Sequence, residues 1–133
     1  MLEALLSELQ KVAPYDSASV QQLKDDYLEI IACHGFDADA DVLGAQFLLD
    51  DPEAPNTEAA RRRAPLILED VQAVSAYFRA DRHASAGIRG WLGTPILFGD
   101  RLIGMITLDK REPGFYTRQH ARLALSFAAQ AAA

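Results

Sequence analysis

Cys33 is the only cysteine in this chain. A single thiol builds neither an intrachain disulfide nor a cysteine-rich zinc site, and it fits a reducing compartment. Long apolar runs are missing too. None approaches the roughly 18 residues that a membrane span needs. The N-terminus lacks a basic-then-apolar leader pattern, so the expected location is cytoplasmic. Positive charge is scarce: 13 Lys and Arg against 19 Asp and Glu leave a net charge of −6. Such a chain repels phosphate backbones, and the short cluster Arg61-Arg62-Arg63 does not reverse that, so no nucleic-acid role is expected. There is no Gly-rich phosphate loop and no nucleophile elbow. The three histidines, His34, His83 and His120, show no metal-ligand spacing. Cys33 and His34 are strand neighbours pointing to opposite faces, so they cannot pair as nucleophile and base. The domain is therefore not expected to be an enzyme.

What remains is an ordinary globular composition: 133 residues, 50% apolar and 24% charged. That is one domain with a real core. Leu2, Leu5, Leu6, Leu9 and Val12 recur at helical spacing over residues 2–13, and Pro14 ends the helix. Residues 18–23 and 27–34 read as two strands around a turn at Lys24-Asp25-Asp26, with Ile30 and Ile31 at the centre of the second. Residues 35–41 read as a polar loop. Phe47-Leu48-Leu49 is a short apolar run before a turn at Asp50-Asp51-Pro52. Asn56 or Thr57 is placed to cap a short helix through Arg63. Residues 65–69 read as a third strand, and Asp70 as the N-cap or ligand contact before a segment running from Val71 to Ala86. Thr117 caps a last helix whose apolar set is Leu123, Ala124, Phe127, Ala128 and Ala131. The chain stops inside that Ala-rich helix, as a domain excised from a longer protein would.

The most informative run is residues 87–109. Val, Ile, Leu, Phe and Thr segments flank Gly99-Asp100, a two-residue turn suited to a hairpin. Gly93 and Gly104 suggest that something packs closely on its strands. Period two sorts the side chains. Trp91, Gly93 and Pro95 share one face, as do Met105, Thr107 and Asp109. Ile106 and Leu108 share the opposite face with Gly104 and suit packing against helices. The order helix, hairpin, connection, strand, connection, hairpin, helix implies an α+β layer fold.

The run Gly90-Trp91-Leu92-Gly93-Thr94-Pro95-Ile96, then Gly99-Asp100-Arg101-Leu102-Ile103-Gly104-Met105-Ile106-Thr107-Leu108-Asp109, then Phe115-Tyr116-Thr117 and a helix, resembles the C-terminal half of a GAF domain. There the pattern is roughly S-W-L-G-V-P-L, G-x-L-I-G-V-L-x-L-D, F-T. The resemblance implies an antiparallel sheet of five to six strands, with the terminal helices on one face and short helices and loops over a ligand pocket on the other. It implies a non-catalytic sensory or regulatory module, one GAF-like domain over residues 1–133. Such a module binds a small molecule, or relays a signal through its terminal helices to an output domain in cis. A histidine kinase, a cyclic-di-nucleotide enzyme and a transcription activator are the candidate outputs. An interaction module that only dimerises is the alternative, and a free-methionine-sulfoxide-reducing enzyme is disfavoured by the cysteine count. The implied pocket residues are Trp91, Met105, Thr107 and Asp109 on the sheet, with Asp70, Tyr77, Phe78 and His83 in the lid. Each also has a plain structural reading: Trp91 as core, Asp109 as a cap of the following turn, His83 as a solvated residue. The cofactor is open. No cysteine stands where a bilin would attach, no Asn-Lys-Phe-Asp-Glu signature supports a cyclic nucleotide, and nothing beyond His83 supports haem. The expected assembly is a homodimer through the two terminal helices.

Overall fold

The computed structural model describes residues 1–37, 39–79 and 87–132, without the side chains of Ala40, Ala76 and Tyr77. In chain order the elements are α1 (Leu2–Gln10), β1 (Ser17–Lys24), β2 (Tyr27–His34), α2 (Asp39–Val42), β3 (Gln46–Leu48), α3 (Pro55–Arg62), β4 (Leu66–Leu68), α4 (Val71–Val74), α5 (Ala76–Arg79), β5 (Gly90–Phe98), β6 (Arg101–Lys110) and α6 (Arg118–Ala132). The six strands form one sheet in the order β3-β2-β1-β6-β5-β4. Every neighbouring pair is antiparallel.

The sheet separates two layers. On one face Ala18, Val20, Leu92, Ile96, Ile106 and Leu108 pack with Leu6 and Leu9 of α1 and with Ala124 and Ala128 of α6. Small alanines on α6 let that helix approach the sheet closely. On the other face Leu28, Trp91 and Met105 pack with Ala59 and Ala60 of α3 and with Val71. Ile30, Cys33 and Val42 form a third cluster beside them. The implied layering, terminal helices on one side and short connections on the other, is the observed one.

Two register shifts decide which side chains face which layer. Val20 pairs with Ala32 and Gln21 with Ile30, so Ile31 is the extra residue. This bulge flips the face of β2: Leu28 and Ile30 lie on the α3 side, whereas Ala32 packs with α1 and α6. Ile103 is skipped in the same way between β5 and β6. Strict period two therefore holds from Gly104 to Asp109 and fails before it.

Several local expectations are corrected. The first helix ends at Gln10, and Val12 is exposed beyond it. A short helix, α2, stands in the loop expected at residues 35–41. The helix at Pro55–Arg62 starts after Ala54 and has no side-chain cap, because proline needs no hydrogen bond at a first-turn position. Thr57 instead donates its hydroxyl to the Ala54 carbonyl at 2.7 Å. On α6, Leu123 is only half-buried, and Ala121 takes its place in the packed set. Thr117 does cap α6, accepting the His120 amide at 3.4 Å. At the hairpin tip Gly99 has φ +62°, the first-position geometry of a primed turn.

Candidate functional site

The floor of the site is the central strand pair β1–β6. Ser17 pairs with Asp109, Ser19 with Thr107 and Gln21 with Met105, so three polar residues of β1 project to the face shared by Thr107 and Asp109. Side-chain hydrogen bonds follow the register. Ser17 Oγ donates to Asp109 Oδ2 at 2.7 Å, and Ser19 and Thr107 share a hydroxyl contact of 2.6 Å. Gln21 Nε2 donates to Ser19 Oγ at 3.1 Å, and Asn56 of α3 donates to Gln21 Oε1 at 2.9 Å. All six of these side chains are buried. A buried polar network of this kind is costly unless its members are satisfied, so it marks a site where the fold gives up an apolar floor.

Above the floor is a cavity of about 180 Å³. Trp91, Thr107, Asp109 and Phe78 all line it, together with Ser19, Gln21 and Asn56. Ile30 of β2, Asp41 and Val42 of α2, Phe47 of β3 and the loop residues Phe36 and Ala45 line it as well. Trp91 is the direct cross-strand partner of Asp109. Its indole leans along β5 over Gly93: a Cβ there would lie 2.8 Å from Trp91 Cζ3. Gly93 is therefore small to seat the tryptophan, and the space above Asp109 is left open.

Asp109 carries the electrostatics of the site. Burial pushes its carboxyl from the usual 3.8 up to about 7; the Ser17 hydrogen bond pulls it down, and the nearby Asp16 carboxylate pushes it up again. Ser17 bonds its Oδ2, and its Oδ1 takes no hydrogen bond among the described residues. The reading of Asp109 as a turn cap is corrected. Asp16 does that work, accepting the Arg111 amide at 2.7 Å.

The remaining expected site residues divide. Met105 is fully buried, packs in one cluster with Leu28 and Trp91, and lies outside the cavity lining. Asp70 also lies outside it. It caps α4 by accepting the Gln72 amide at 3.1 Å and pairs with Arg89 at 2.7 Å. Tyr77 sits on α5, but its side chain lies outside the described residues, as does the whole of His83. Sequence reasoning missed Ser19, Gln21 and Asn56. The alternation Ser17, Ser19, Gln21 against Ala18 and Val20 was a legible signal for two of them. Asn56 carried none, because only the tertiary fold brings the start of α3 within reach of Gln21.

The lone thiol is not part of the site. Cys33 Sγ is 3.4 Å from the Asp39 carbonyl, and burial followed by the Asp39 charge raises the thiol to about 11. A thiol held protonated in this way is a poor nucleophile. Among the described residues no group of three or more His, Cys, Asp or Glu converges on one point. Among the described residues no helix is long and apolar enough to cross a membrane.

Comparison with known proteins places this geometry. The GAF-domain family model matches residues 1–133. A curated relative, the anaerobic nitric oxide reductase transcription regulator NorR of Aliivibrio fischeri, is 26% identical over 134 residues. The match takes in 96% of this chain but only 25% of that relative, so the chain spans a quarter of its length. Among solved structures, the GAF domain of a phosphoenolpyruvate-protein phosphotransferase from Coxiella burnetii superimposes with a TM-score of 0.85 at 19% identity, covering 98% of this chain and 77% of that one. The type II free methionine-R-sulfoxide reductase of Thermoplasma acidophilum gives 0.78 at 16% identity, covering 98% and 86%. These two likenesses show the shared fold.

Proposed function

Because this chain belongs to the GAF-domain family, a fold found in sensory and signalling proteins, we propose that it is a non-catalytic sensor: it binds a small molecule in the cavity and passes the bound state to an output domain in cis through α1 and α6. The observation that carries this reading is the stitching of the cavity floor to both terminal helices. Asp109 lies at the end of β6, and its carbonyl accepts the Asp16 amide at 2.8 Å. Asp16 belongs to the short link between α1 and β1. In that link the Tyr15 hydroxyl donates to the Leu6 carbonyl of α1 at 2.8 Å. The Pro14 carbonyl accepts the hydroxyl of Tyr116, just before α6, at 2.9 Å. A change at Asp109 therefore reaches the base of both helices through three hydrogen bonds.

The name of the curated relative describes a transcription regulator, which favours transcription activation among the candidate outputs. Two measurements test the reading. A ligand that binds only the folded state raises the melting temperature by mass action. A panel of small metabolites should contain at least one compound that does so. With that compound bound, amide hydrogen exchange should slow in residues 2–16 and 109–120. A panel without any shift, or a shift whose protection stays within the cavity walls, would count against the sensory reading.

A further inference from the structure

The described side chains lining the cavity include two charged groups, Asp41 and Asp109, and both are acidic. No lysine or arginine among them faces the space. Lys110, the nearest in sequence, turns away to Asp16 at 3.6 Å and lies 4.8 Å over the Phe115 ring. Four aromatic side chains line the same space, Phe36, Phe47, Phe78 and Trp91, and Trp91 stands beside Asp109 as its cross-strand partner. Among the described residues an anion would meet two carboxylates and no compensating cation, which is unfavourable beside the buried Asp109. A cation would meet an unshared carboxylate oxygen at Asp109 and ring faces that attract positive charge. An inorganic cation would find few charged ligands, because among the described residues the two acids do not converge with a third. The volume sets the size. A cavity of roughly 150 Å³ accommodates benzene, so about 180 Å³ suits a molecule of about ten non-hydrogen atoms.

We propose that the cavity is a site for a small organic cation, a protonated primary amine whose ammonium sits on Asp109 and whose hydrocarbon part lies against Trp91, Phe36 and Phe47. The Ser17 hydroxyl holds Asp109 Oδ2, which aims Oδ1 at the space. Ser19, Thr107 and Asn56 offer further oxygen acceptors for the remaining ammonium hydrogens. The proposal rests on the cavity being a ligand site and adds the chemical class of what enters it.

The test uses three probes of matched size and shape on the intact chain: benzylamine, benzyl alcohol and benzoate. Trp91, the only tryptophan, reports binding by fluorescence, and melting temperature reports it independently. Titrations run one unit above the Asp109 value of about 7, where that carboxyl is ionised and an aliphatic amine is protonated. Benzylamine should bind at least about tenfold more tightly than benzyl alcohol, and benzoate should not bind. Asp109→Asn should bring benzylamine down to the level of benzyl alcohol. Should that variant not fold, the order of the three probes on the unaltered chain decides alone. Benzoate or benzyl alcohol binding as tightly as benzylamine would overturn the amine assignment while leaving the cavity a ligand site. So would an amine preference that survives Asp109→Asn. Silence of all three probes at millimolar concentration also overturns it. The sensory reading falls separately, on the metabolite panel and the helix protection.

Discussion

Trp91 and Asp109 face each other directly across the β5–β6 ladder, and both side chains line one cavity. A strand pair presents partnered residues on the same face, so a large apolar ring and a buried carboxylate end up side by side. The pair is kept from closing on itself by Gly93, which lets the indole lie down along its own strand.

Gly93→Val should therefore disturb the site before it disturbs the fold. The new side chain collides with the indole and lifts it towards Asp109. Overpacking of this kind costs about 1–3 kcal/mol. The expected outcome is a lowered melting temperature, a shifted Trp91 emission and a lost ligand response. An unchanged emission spectrum would show that Gly93 does not seat the ring.

Stability should depend on pH through Asp109. Burial raises its carboxyl from 3.8 to about 7 in the folded state. The folded chain then holds a proton that the unfolded chain has released, so stability falls as pH rises. The contribution is complete below about pH 4 and is lost as pH passes through about 7. Urea denaturation across that window should show a declining free energy, and Asp109→Asn should flatten that decline. A slope of the same size in the variant would assign it to other carboxylates.

Gly104→Val should cost about 1–3 kcal/mol, for a reason different from the one its sequence position suggests. The face towards the terminal helices is correctly assigned, because Ile106 and Leu108 pack there. The obstacle to a Cβ, however, is the backbone carbonyl of Gln21 on the neighbouring strand, with Ile96 Cδ1 at 3.4 Å behind it. A rigid backbone cannot yield as a side chain would. Even Gly104→Ala should lower the denaturation midpoint, and an unaltered midpoint would contradict this account.

Tyr116→Phe removes the hydroxyl that ties the start of α6 to Pro14. A buried hydrogen bond of this kind contributes about 0.5–1.5 kcal/mol, so a small loss of stability is expected. The more telling readout is exchange: ligand-induced protection should persist in residues 2–16 and fade in residues 117–132. Protection of both helices to the same degree would remove Tyr116 from the relay.

The terminal helices should also join a second chain. Leu125 on α6 is 40% exposed, and Val12 after α1 is 42% exposed, so neither is covered by the sheet. Sedimentation should show a homodimer that Leu125→Glu weakens. A monomer at high concentration, with both helices intact, would argue against pairing.

The chain by itself determined the layers. Period-two patterning from Gly104 to Asp109, a glycine turn at Gly99-Asp100 and helical spacing from Leu2 to Leu9 are local signals, and each survives in the fold because nothing distant opposes it. The same patterning put Trp91, Thr107 and Asp109 on one face. It also grouped Met105 with them, although depth within a face is not written in a period. Met105 packs into the cluster of Leu28 and Trp91, whereas Asp109 lines the open space. Only tertiary structure decided the rest. The extra residue at Ile31 shifts β2 by one place and reverses which side chains reach the cavity, a change no alternation in the sequence announces. Asn56 joins the floor because the fold brings the start of α3 to Gln21, 35 residues away along the chain. Asp109 owes its raised pKa to burial, which is a property of everything packed around a residue and not of the residue itself.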